Sequence, residues 1–367
     1  MNRRRISSRS AFAWWELAVV IIVLGVLAAL LIPAIQTARE ASRRISCNHH
    51  LKQIGMGLHN YGTANKVFPP GIVCSAANVT ADAADPWADA KLTTKGAGGT
   101  SWILPLLPFI EAQSAFKAWD FQFGVSGGTN AAIASSDVKG YYGFYCPTRR
   151  SALRPGRDAP MMLSSTWTGG GTDYGGCIGR HQGFLLDDDQ SVMLADKEDR
   201  LAICFMLSDA VLSNPWAVIG DTSGANATCK AERGWGIFGQ INKSTNYVEV
   251  RDGISNTLMI GELQRIIRKT TDPPFNVSSG PVLSHDGWAI GGSPTLFTTG
   301  CPYPDDAKTR LLMNNGYFAS PGSDHPGGAN FGLVDGSVRF IETTIDPDIF
   351  ALLGSMADRA AVTTPQD

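Results

Sequence analysis

Hydrophobic residues near the N-terminus form one long run that is followed by a helical repeat. The segment from Leu17 to Ile35 carries no charged residue, and its length approaches the ~20 residues that a helix needs to cross a ~30 Å hydrocarbon core. The pattern predicts one helix over residues 12–61, about 75 Å long, with a kink at Pro33. Beyond the run, apolar or small residues recur at steps of mostly three or four: Ile35, Ala38, Ser42, Ile45, Leu51, Ile54, Leu58 and Tyr61.

The rest of the chain favours short strands joined by turns. Apolar and polar residues alternate on both sides of Asp335-Gly336, so residues 330–341 predict a β-hairpin with a type I′ turn. A second unit of strand, polar corner and strand is predicted where Tyr247–Val250 and Leu258–Glu262 flank the segment Asp252–Thr257. We therefore predict an α+β fold, in which the outer half of the N-terminal helix packs on an antiparallel sheet with loop-rich insertions.

Composition and charge limit the classes of function. The 40 glycines, 20 prolines and 17% charged residues are typical of a chain rich in turns and short strands. The formal net charge of −2 gives no basic field, so nucleic acid is not a predicted partner. Arg3, Arg4, Arg5 and Arg9 precede the apolar run and place that end in the cytoplasm by the positive-inside rule. Most of the chain is then expected outside the cytoplasmic membrane, in the periplasm or at the cell surface.

Two simpler interpretations of the N-terminus are a cleaved secretory signal and an uncleaved signal anchor. Glu16 argues against a cleaved signal, because it sets a carboxylate at the cytoplasmic edge of the apolar run. The helical repeat that continues beyond the run argues against it as well, since a discarded signal has no use for that repeat. The uncleaved anchor stays open at this point.

The residues around Glu16 carry a first resemblance to known proteins. Ser10-Ala11-Phe12-Ala13-Trp14-Trp15-Glu16 and the apolar run resemble the cleavage and methylation motif of type IV pilins and type II secretion pseudopilins. The resemblance implies that a prepilin peptidase and methyltransferase cuts between Ala11 and Phe12 and methylates the new amine of Phe12. Glu16 would then neutralise that amine on a neighbouring subunit. The chain departs from the family at Ala11, where glycine is usual.

Further segments resemble a large prepilin-like family called domain of unknown function 1559. The match includes residues 39–61, 101–111 and 144–147, spans about 11–345 and is loose over 150–235. It implies a pilin-like architecture and no known activity. At its C-terminal end a histidine is followed by nine residues and Asp-Gly, and the family motifs comprise His325, Asp335, Gly336, Asp252, Gly253, Ser255, Asn256, Thr257 and Glu262.

These observations predict a chain of five parts. They are a cytoplasmic leader (1–11), a transmembrane helix (12–35), an amphipathic continuation (36–62), an extracytoplasmic β-rich domain (63–345), and a short C-terminal helix with a tail (346–367). The last helix is predicted because Asp346 and Pro347 suit the N-cap and the first helical position.

Candidate chemistry in the β-rich domain is sparse. His325 stands beside Asp324, and the two are weak candidates for metal ligands, although a histidine in such a loop is more often a hydrogen-bonded anchor. Asp252, Ser255 and Asn256 offer clustered oxygens that suit calcium, but they equally suit the capping of a turn. Asp335 and Gly336 are explained by a turn. No other cofactor is predicted.

Other motifs give little support for catalysis. Seven cysteines lack the spacing of a zinc finger, and their odd number leaves at least one without a disulfide partner. Ser126 fits Gly-x-Ser-x-Gly, but the following Gly-Gly-Thr-Asn is typical of a loop rather than of the helix that a hydrolase elbow requires. Tryptophans that could bind sugars in loops, or fill the core, are Trp87, Trp102, Trp119, Trp167, Trp216, Trp235 and Trp288.

The sequence thus predicts a structural protein and not an enzyme. It would be a membrane-anchored prepilin or pseudopilin-like subunit, processed by the prepilin peptidase, with copies of itself or other pilin-like subunits as partners. The alternatives left open are a solitary membrane-anchored protein that binds carbohydrate or a surface, and an extracytoplasmic hydrolase.

Overall fold

The structure is a computed structural model with an α+β fold, as the sequence predicts. A long N-terminal helix is followed by a mixed β-sheet and short helices. The residues that it describes are 14–73, 90, 98–138, 143–154, 156–179, 235–239, 243–265, 267–268, 282–292, 294–299, 312–314 and 320–357.

Helix α1 (Trp14–Asn65) has two halves with different surroundings. Its first half is exposed, with Ile22 at 64% and Leu30 at 68% of their accessible area. Its second half packs against the strands Gly328–Leu333 and Val338–Glu342. The buried stripe of this half is Cys47, Leu51, Ile54 and Leu58, at the steps of four, three and four that keep residues on one helix face. Ile35 and Ile45, which the sequence placed on the same stripe, are exposed.

The central sheet has the strand order β7-β3-β4-β8-β9. Neighbouring strands are antiparallel except β3 and β7, which are parallel, so the predicted antiparallel sheet contains one parallel pair at its edge. Strand β8 contacts both α1 and β4. The bounds are β3 Tyr174–Cys177, β4 Leu258–Glu262, β7 Leu296–Phe297, β8 Gly328–Leu333 and β9 Val338–Glu342.

Shorter elements surround this sheet. Two small antiparallel pairs join β1 (Ile72–Val73) to β2 (Thr100–Ser101) and β5 (Ile267–Arg268) to β6 (Val282–Leu283). The remaining helices are α2 Ile103–Leu106, α3 Gln113–Ala118, α4 Asn130–Ala134 and α5 Pro347–Gly354, and the 3₁₀ turns are Leu107–Phe109, Ala159–Met161 and Tyr247–Glu249.

Two local predictions were wrong. Tyr247–Val250 does not form a strand, because Asn246 caps a 3₁₀ turn in a capping box with Glu249. The β8–β9 hairpin is present, but its turn is not type I′, which needs positive φ at both central residues. Within this turn only Gly336 has positive φ, at 83°, and Asp335 instead accepts a hydrogen bond from the amide of Ser337 at 2.8 Å.

Aromatic side chains fill the space between α1, the sheet and α2. Trp102 and Trp288 are completely buried, and the Trp102 ring stacks on Phe238 with centroids 4.9 Å apart. The indole N–H groups of both tryptophans donate to backbone carbonyls, so neither polar atom is left without a partner. Trp119, Trp167 and Trp235 are buried too, which leaves none of the five described domain tryptophans as an open platform for a sugar.

A buried network of arginines and aspartates lies next to this core. The guanidinium of Arg150 is fully buried and lies 2.7 Å from Asp173, 2.7 Å from Asp286 and 3.2 Å from Asp158. Arg265 also contacts Asp286, at 3.3 Å. Burial by itself would lower the pKa of Arg150, but the carboxylates of Asp173 and Asp286 raise it well above its usual value. The network therefore holds permanent charge inside the domain.

Candidate functional site

Four polar side chains from distant parts of the chain meet beside α1. They are Cys47 on α1, Cys146 in the loop 143–150, Glu262 at the end of β4 and His325 in the loop before β8. All four are buried, and their ligand-type atoms lie within 4.8 Å of one another. The part of the chain that the structure describes contains no other such group of three or more His, Cys, Asp or Glu residues. We call these four residues the Cys–Cys–Glu–His cluster.

The distances within the cluster are short. The sulfurs of Cys47 and Cys146 are 3.0 Å apart, and no disulfide joins them. The Nε2 atom of His325 lies 3.7 Å from the Cys146 sulfur and 3.3 Å from Oε1 of Glu262. The imidazole therefore stands between a thiol and a carboxylate.

A second layer of residues orients the cluster. Nδ1 of His325 is 2.5 Å from Oε1 of Glu40, which lies on α1, and 3.1 Å from the hydroxyl of Thr148. Oε2 of Glu262 accepts hydrogen bonds from the backbone and side-chain nitrogens of Asn330, at 2.6 and 3.0 Å. In both His325 and Glu262, one polar atom thus contacts residues outside the cluster and the other polar atom faces the cluster.

The loops that carry Cys146 and His325 are fixed by their own hydrogen bonds. The backbone amide of Cys146 donates to Oδ2 of Asp173, which belongs to the buried arginine–aspartate network. The amide of His325 donates to the hydroxyl of Ser323, and that hydroxyl donates to the carbonyl of Gly328. On the helix side, Arg44 donates to the carbonyl of Pro326 and lies 3.9 Å above the centre of the Phe340 ring. The cluster is therefore built on positions with little freedom to move.

Close packing shifts the pKa values of these groups. Burial would lower the pKa of His325, but its interactions with Cys146, Glu262 and Glu40 raise it to about 10. The hydrogen bond between the thiols lowers the pKa of Cys146 to about 7 and raises the pKa of Cys47. Burial would raise the pKa of Glu40, yet His325 and Arg43 lower it. In this arrangement the imidazolium form of His325 is held between two carboxylates.

The polar corner at 252–257 lies apart from the cluster. Asp252 accepts a hydrogen bond from Ser355, the hydroxyl of Thr257 donates to the carbonyl of Gly253, and the amide of Asn256 donates to the same carbonyl. A backbone hydrogen bond joins this corner to the turn of the β8–β9 hairpin, because the amide of Asp335 donates to the carbonyl of Ile254. Ser255 belongs to the same turn. Thr257 thus serves a local backbone hydrogen bond, whereas the side chain of Asp252 contacts a residue 103 positions away. Calcium at this corner stays a prediction.

The other predicted site residues are dispersed. Asp324 has a half-exposed side chain that pairs with Arg149 at 3.2 Å and does not join its neighbour His325 in the cluster. Ser126 lies in a turn before α4, and the described residues 119–125 contain no strand that could form a hydrolase elbow. Glu16 lies in the first turn of α1. Ala11 and Phe12 lie outside the described residues.

Sequence reasoning singled out His325 and Glu262 but did not bring them together with the two cysteines. The expected signal for a metal site was a pair of ligands a few residues apart. Here 99 residues separate Cys47 from Cys146 and 179 residues separate Cys146 from His325. The four residues become neighbours only because β4 pairs with β8 and α1 packs against both strands.

The fold and its N-terminal helix define an α+β protein with one helix, among the described residues, that is long and apolar enough to cross a membrane. The chain belongs to the family described as "Protein of unknown function (DUF1559)", whose model matches residues 36–348. No curated protein and no solved structure matches the chain. The family and the helix are compatible with a membrane-anchored extracytoplasmic protein.

Proposed function

We propose that this protein is a prepilin-type subunit, anchored in the cytoplasmic membrane by α1 and assembled with copies of itself or with other pilin-like subunits. A type II secretion or type IV pilus-like assembly is the setting that the N-terminal motif favours. Its role is structural and needs no enzymatic activity. The proposal rests on one observation, namely that the first half of α1 is an apolar rod with no partner of its own in the described domain.

The dimensions of this rod suit a membrane. Residues 14–35 extend about 33 Å at 1.5 Å per residue, close to the ~30 Å hydrocarbon core. The most hydrophobic stretch has a mean hydropathy of 3.1, and none of it is buried. Trp14 and Trp15 are exposed at the end of the rod, where aromatic rings favour the membrane interface. Lipid or the same helix of a second copy must cover this surface, because exposed apolar area of this size is costly in water.

Glu16 supports assembly rather than simple anchoring. It lies in the first turn of α1, at the edge of the apolar rod, where a carboxylate is costly unless a positive group is near. Cleavage after Ala11 would create an α-amine four residues before it, on the same side of the membrane. The amine of one copy and the Glu16 carboxylate of another would then neutralise each other when the helices stack.

The first test is the N-terminus of the protein isolated from its native membranes. We expect intact mass and N-terminal sequencing to give a chain that begins at methylated Phe12. Ala11→Gly should be processed at least as completely, whereas Ala11→Trp should remain uncut, because the peptidase needs a small residue before the cut. A wild-type chain that still begins at Met1 would overturn prepilin processing and favour a solitary anchor.

The second test is contact between copies in the membrane. Leu24→Cys places a thiol in the middle of the rod, and oxidation of native membranes should yield more covalent dimer than the wild type, because neighbouring helices face each other there. Val248→Cys is the matched control, since Val248 is 85% exposed on the globular domain. Equal dimer yields for the two variants, or none above the wild-type level, would contradict assembly through α1.

A further inference from the structure

The geometry points to a structural zinc site: we propose that Cys47, Cys146, Glu262 and His325 together bind one Zn²⁺ ion, which fastens α1 to the globular domain. The ligand atoms would be the two sulfurs, Oε1 of Glu262 and Nε2 of His325. This inference is independent of the prepilin role, because it concerns the outer half of the helix and not its processing.

The donor set suits zinc. Zn²⁺ is most often held by four protein ligands at the corners of a tetrahedron, drawn from cysteine, histidine and carboxylate side chains. Calcium and magnesium prefer oxygen ligands alone, so two sulfurs argue against both ions. Two sulfurs with one nitrogen and one oxygen match the borderline-soft character of zinc.

The spacing of the cluster is close to what the ion requires. Two thiolates, each about 2.3 Å from one tetrahedral zinc, are about 3.8 Å apart. The observed 3.0 Å between the sulfurs of Cys47 and Cys146 is shorter than this, and a disulfide bond would be shorter still, at about 2.05 Å. To bind the ion, the two sulfurs would therefore have to move apart by less than about 1 Å. Rotation of the cysteine side chains can supply a movement of that size.

One carboxylate oxygen of the cluster is buried and accepts no hydrogen bond. Glu262 is 1% exposed, and its Oε1 atom accepts no hydrogen bond among the residues that the structure describes. It lies 3.3 Å from Nε2 of His325, in a geometry that does not form a hydrogen bond. A buried carboxylate oxygen without a donor is costly, and a metal ion would supply the missing partner.

The outer contacts match those of a metal-bound histidine and carboxylate. A histidine that binds zinc through one nitrogen usually donates the N–H of the other nitrogen to a carboxylate, which fixes the tautomer. Nδ1 of His325 faces Glu40 in this way, so once Nε2 has lost its proton its lone pair is directed at the cluster. Glu262 is likewise fixed through Oε2 by Asn330, which leaves Oε1 for the ion.

Protons and charge balance in the proposed binding step. Zn²⁺ replaces the thiol protons of Cys47 and Cys146, and His325 releases any proton on Nε2 but keeps the one on Nδ1. These protons leave to solvent, and no electron is transferred. Two thiolates and one carboxylate leave the site with one net negative charge. The buried guanidinium of Arg149 interacts electrostatically with Cys146, so a positive group stands near the site.

The site would be structural rather than catalytic. All four positions of the tetrahedron are filled by protein, and the cluster is buried, so no position is left for water or substrate. The four ligands come from α1, the loop 143–150, β4 and the loop before β8. One ion would therefore join α1 to three segments of the domain. The stabilisation that such a cross-link provides increases with the length of chain between the joined segments, and these segments are far apart in the sequence.

The experiment measures zinc in the full-length protein, purified in detergent micelles without chelator. We expect about one zinc ion per chain in the wild type and less than about one-tenth of that in Cys47→Ser and His325→Ala, because each change removes a ligand. Cys177→Ser is the matched control, since Cys177 is a buried thiol in β3 outside the cluster. Glu262→Gln is expected to lose zinc as well, and its control is Glu342→Gln, because Glu342 is exposed on β9.

A second measurement needs no variant and covers the case in which the ligand variants do not fold. Exchange of zinc for cobalt in the wild type should produce the sulfur-to-metal charge-transfer absorption of two thiolates with a tetrahedral visible spectrum. Absence of these bands would overturn the proposal. So would a Cys47–Cys146 disulfide peptide in a zinc-free wild-type protein, or zinc that persists in folded ligand variants and is therefore adventitious.

Discussion

Replacement of Arg150 by methionine is expected to lower the free energy of unfolding by about 3–5 kcal/mol. The side chain of Arg150 is fully buried and contacts Asp158, Asp173 and Asp286, whose own side chains are also fully buried. Methionine has a similar length but carries no charge, so the three buried carboxylates lose a positively charged partner. The loss arises from uncompensated buried charge, which costs far more than a surface ion pair contributes.

The measurement is the urea midpoint of the full chain in detergent micelles, followed by tryptophan fluorescence. Arg251→Met is the control, because Arg251 is exposed and an exposed substitution of this kind changes stability by about 0.5 kcal/mol or less. If Arg150→Met unfolds at the same urea concentration as Arg251→Met, the buried network does not stabilise the domain in the way described.

The second large effect is expected at Gly170, where alanine should cost about 3 kcal/mol or more. Gly170 has φ of 85°, a region that residues with a β-carbon rarely occupy, and its new methyl group would collide with the carbonyl oxygen of Ala134. The backbone cannot move away easily. The amide of Gly170 donates to Asp137 at 3.0 Å, and its carbonyl accepts from the amide of Trp288 at 2.8 Å.

Gly156→Ala separates the two contributions at Gly170. Gly156 has φ of 76°, but a β-carbon there would meet no atom within 4 Å, so its substitution tests the backbone strain alone. We expect a loss of about 1–2 kcal/mol for Gly156→Ala and a clearly larger one for Gly170→Ala, both from urea unfolding curves. Equal losses would show that the contact with Ala134 relaxes at no cost.

The sequence was most informative where structure is local. The N-terminal helix follows from hydropathy and three- to four-residue periodicity, and the β8–β9 hairpin follows from alternation around Asp335 and Gly336. The error at Tyr247–Val250 has a local explanation as well. Asn246 and Glu249 stand three residues apart, which is the spacing of a capping box, and this signal should have outweighed a four-residue alternation.

The sheet order and the Cys–Cys–Glu–His cluster could not be predicted in the same way. Strand β3 reads Tyr-Gly-Gly-Cys, and two glycines give no strand propensity, so only its pairing with β4 and β7 makes it a strand. The cluster depends on that same sheet, because Glu262 on β4 reaches His325 only when β4 and β8 are paired. Contacts between positions so far apart in sequence leave no periodic trace in the chain.

Because α1 is one continuous helix, a change in its tilt displaces one end of the helix relative to the other. A helix of 52 residues is about 78 Å long, and its outer half is fixed in the domain while its inner half is free of it. Membrane helices tilt over a range of about 0–40°. A change in tilt of only about 10° would move the far end of such a rod sideways by about 14 Å. With α1 in the bilayer as proposed, its tilt and the orientation of the domain would be a single variable, and bilayer thickness would be a means of turning the surface of the domain.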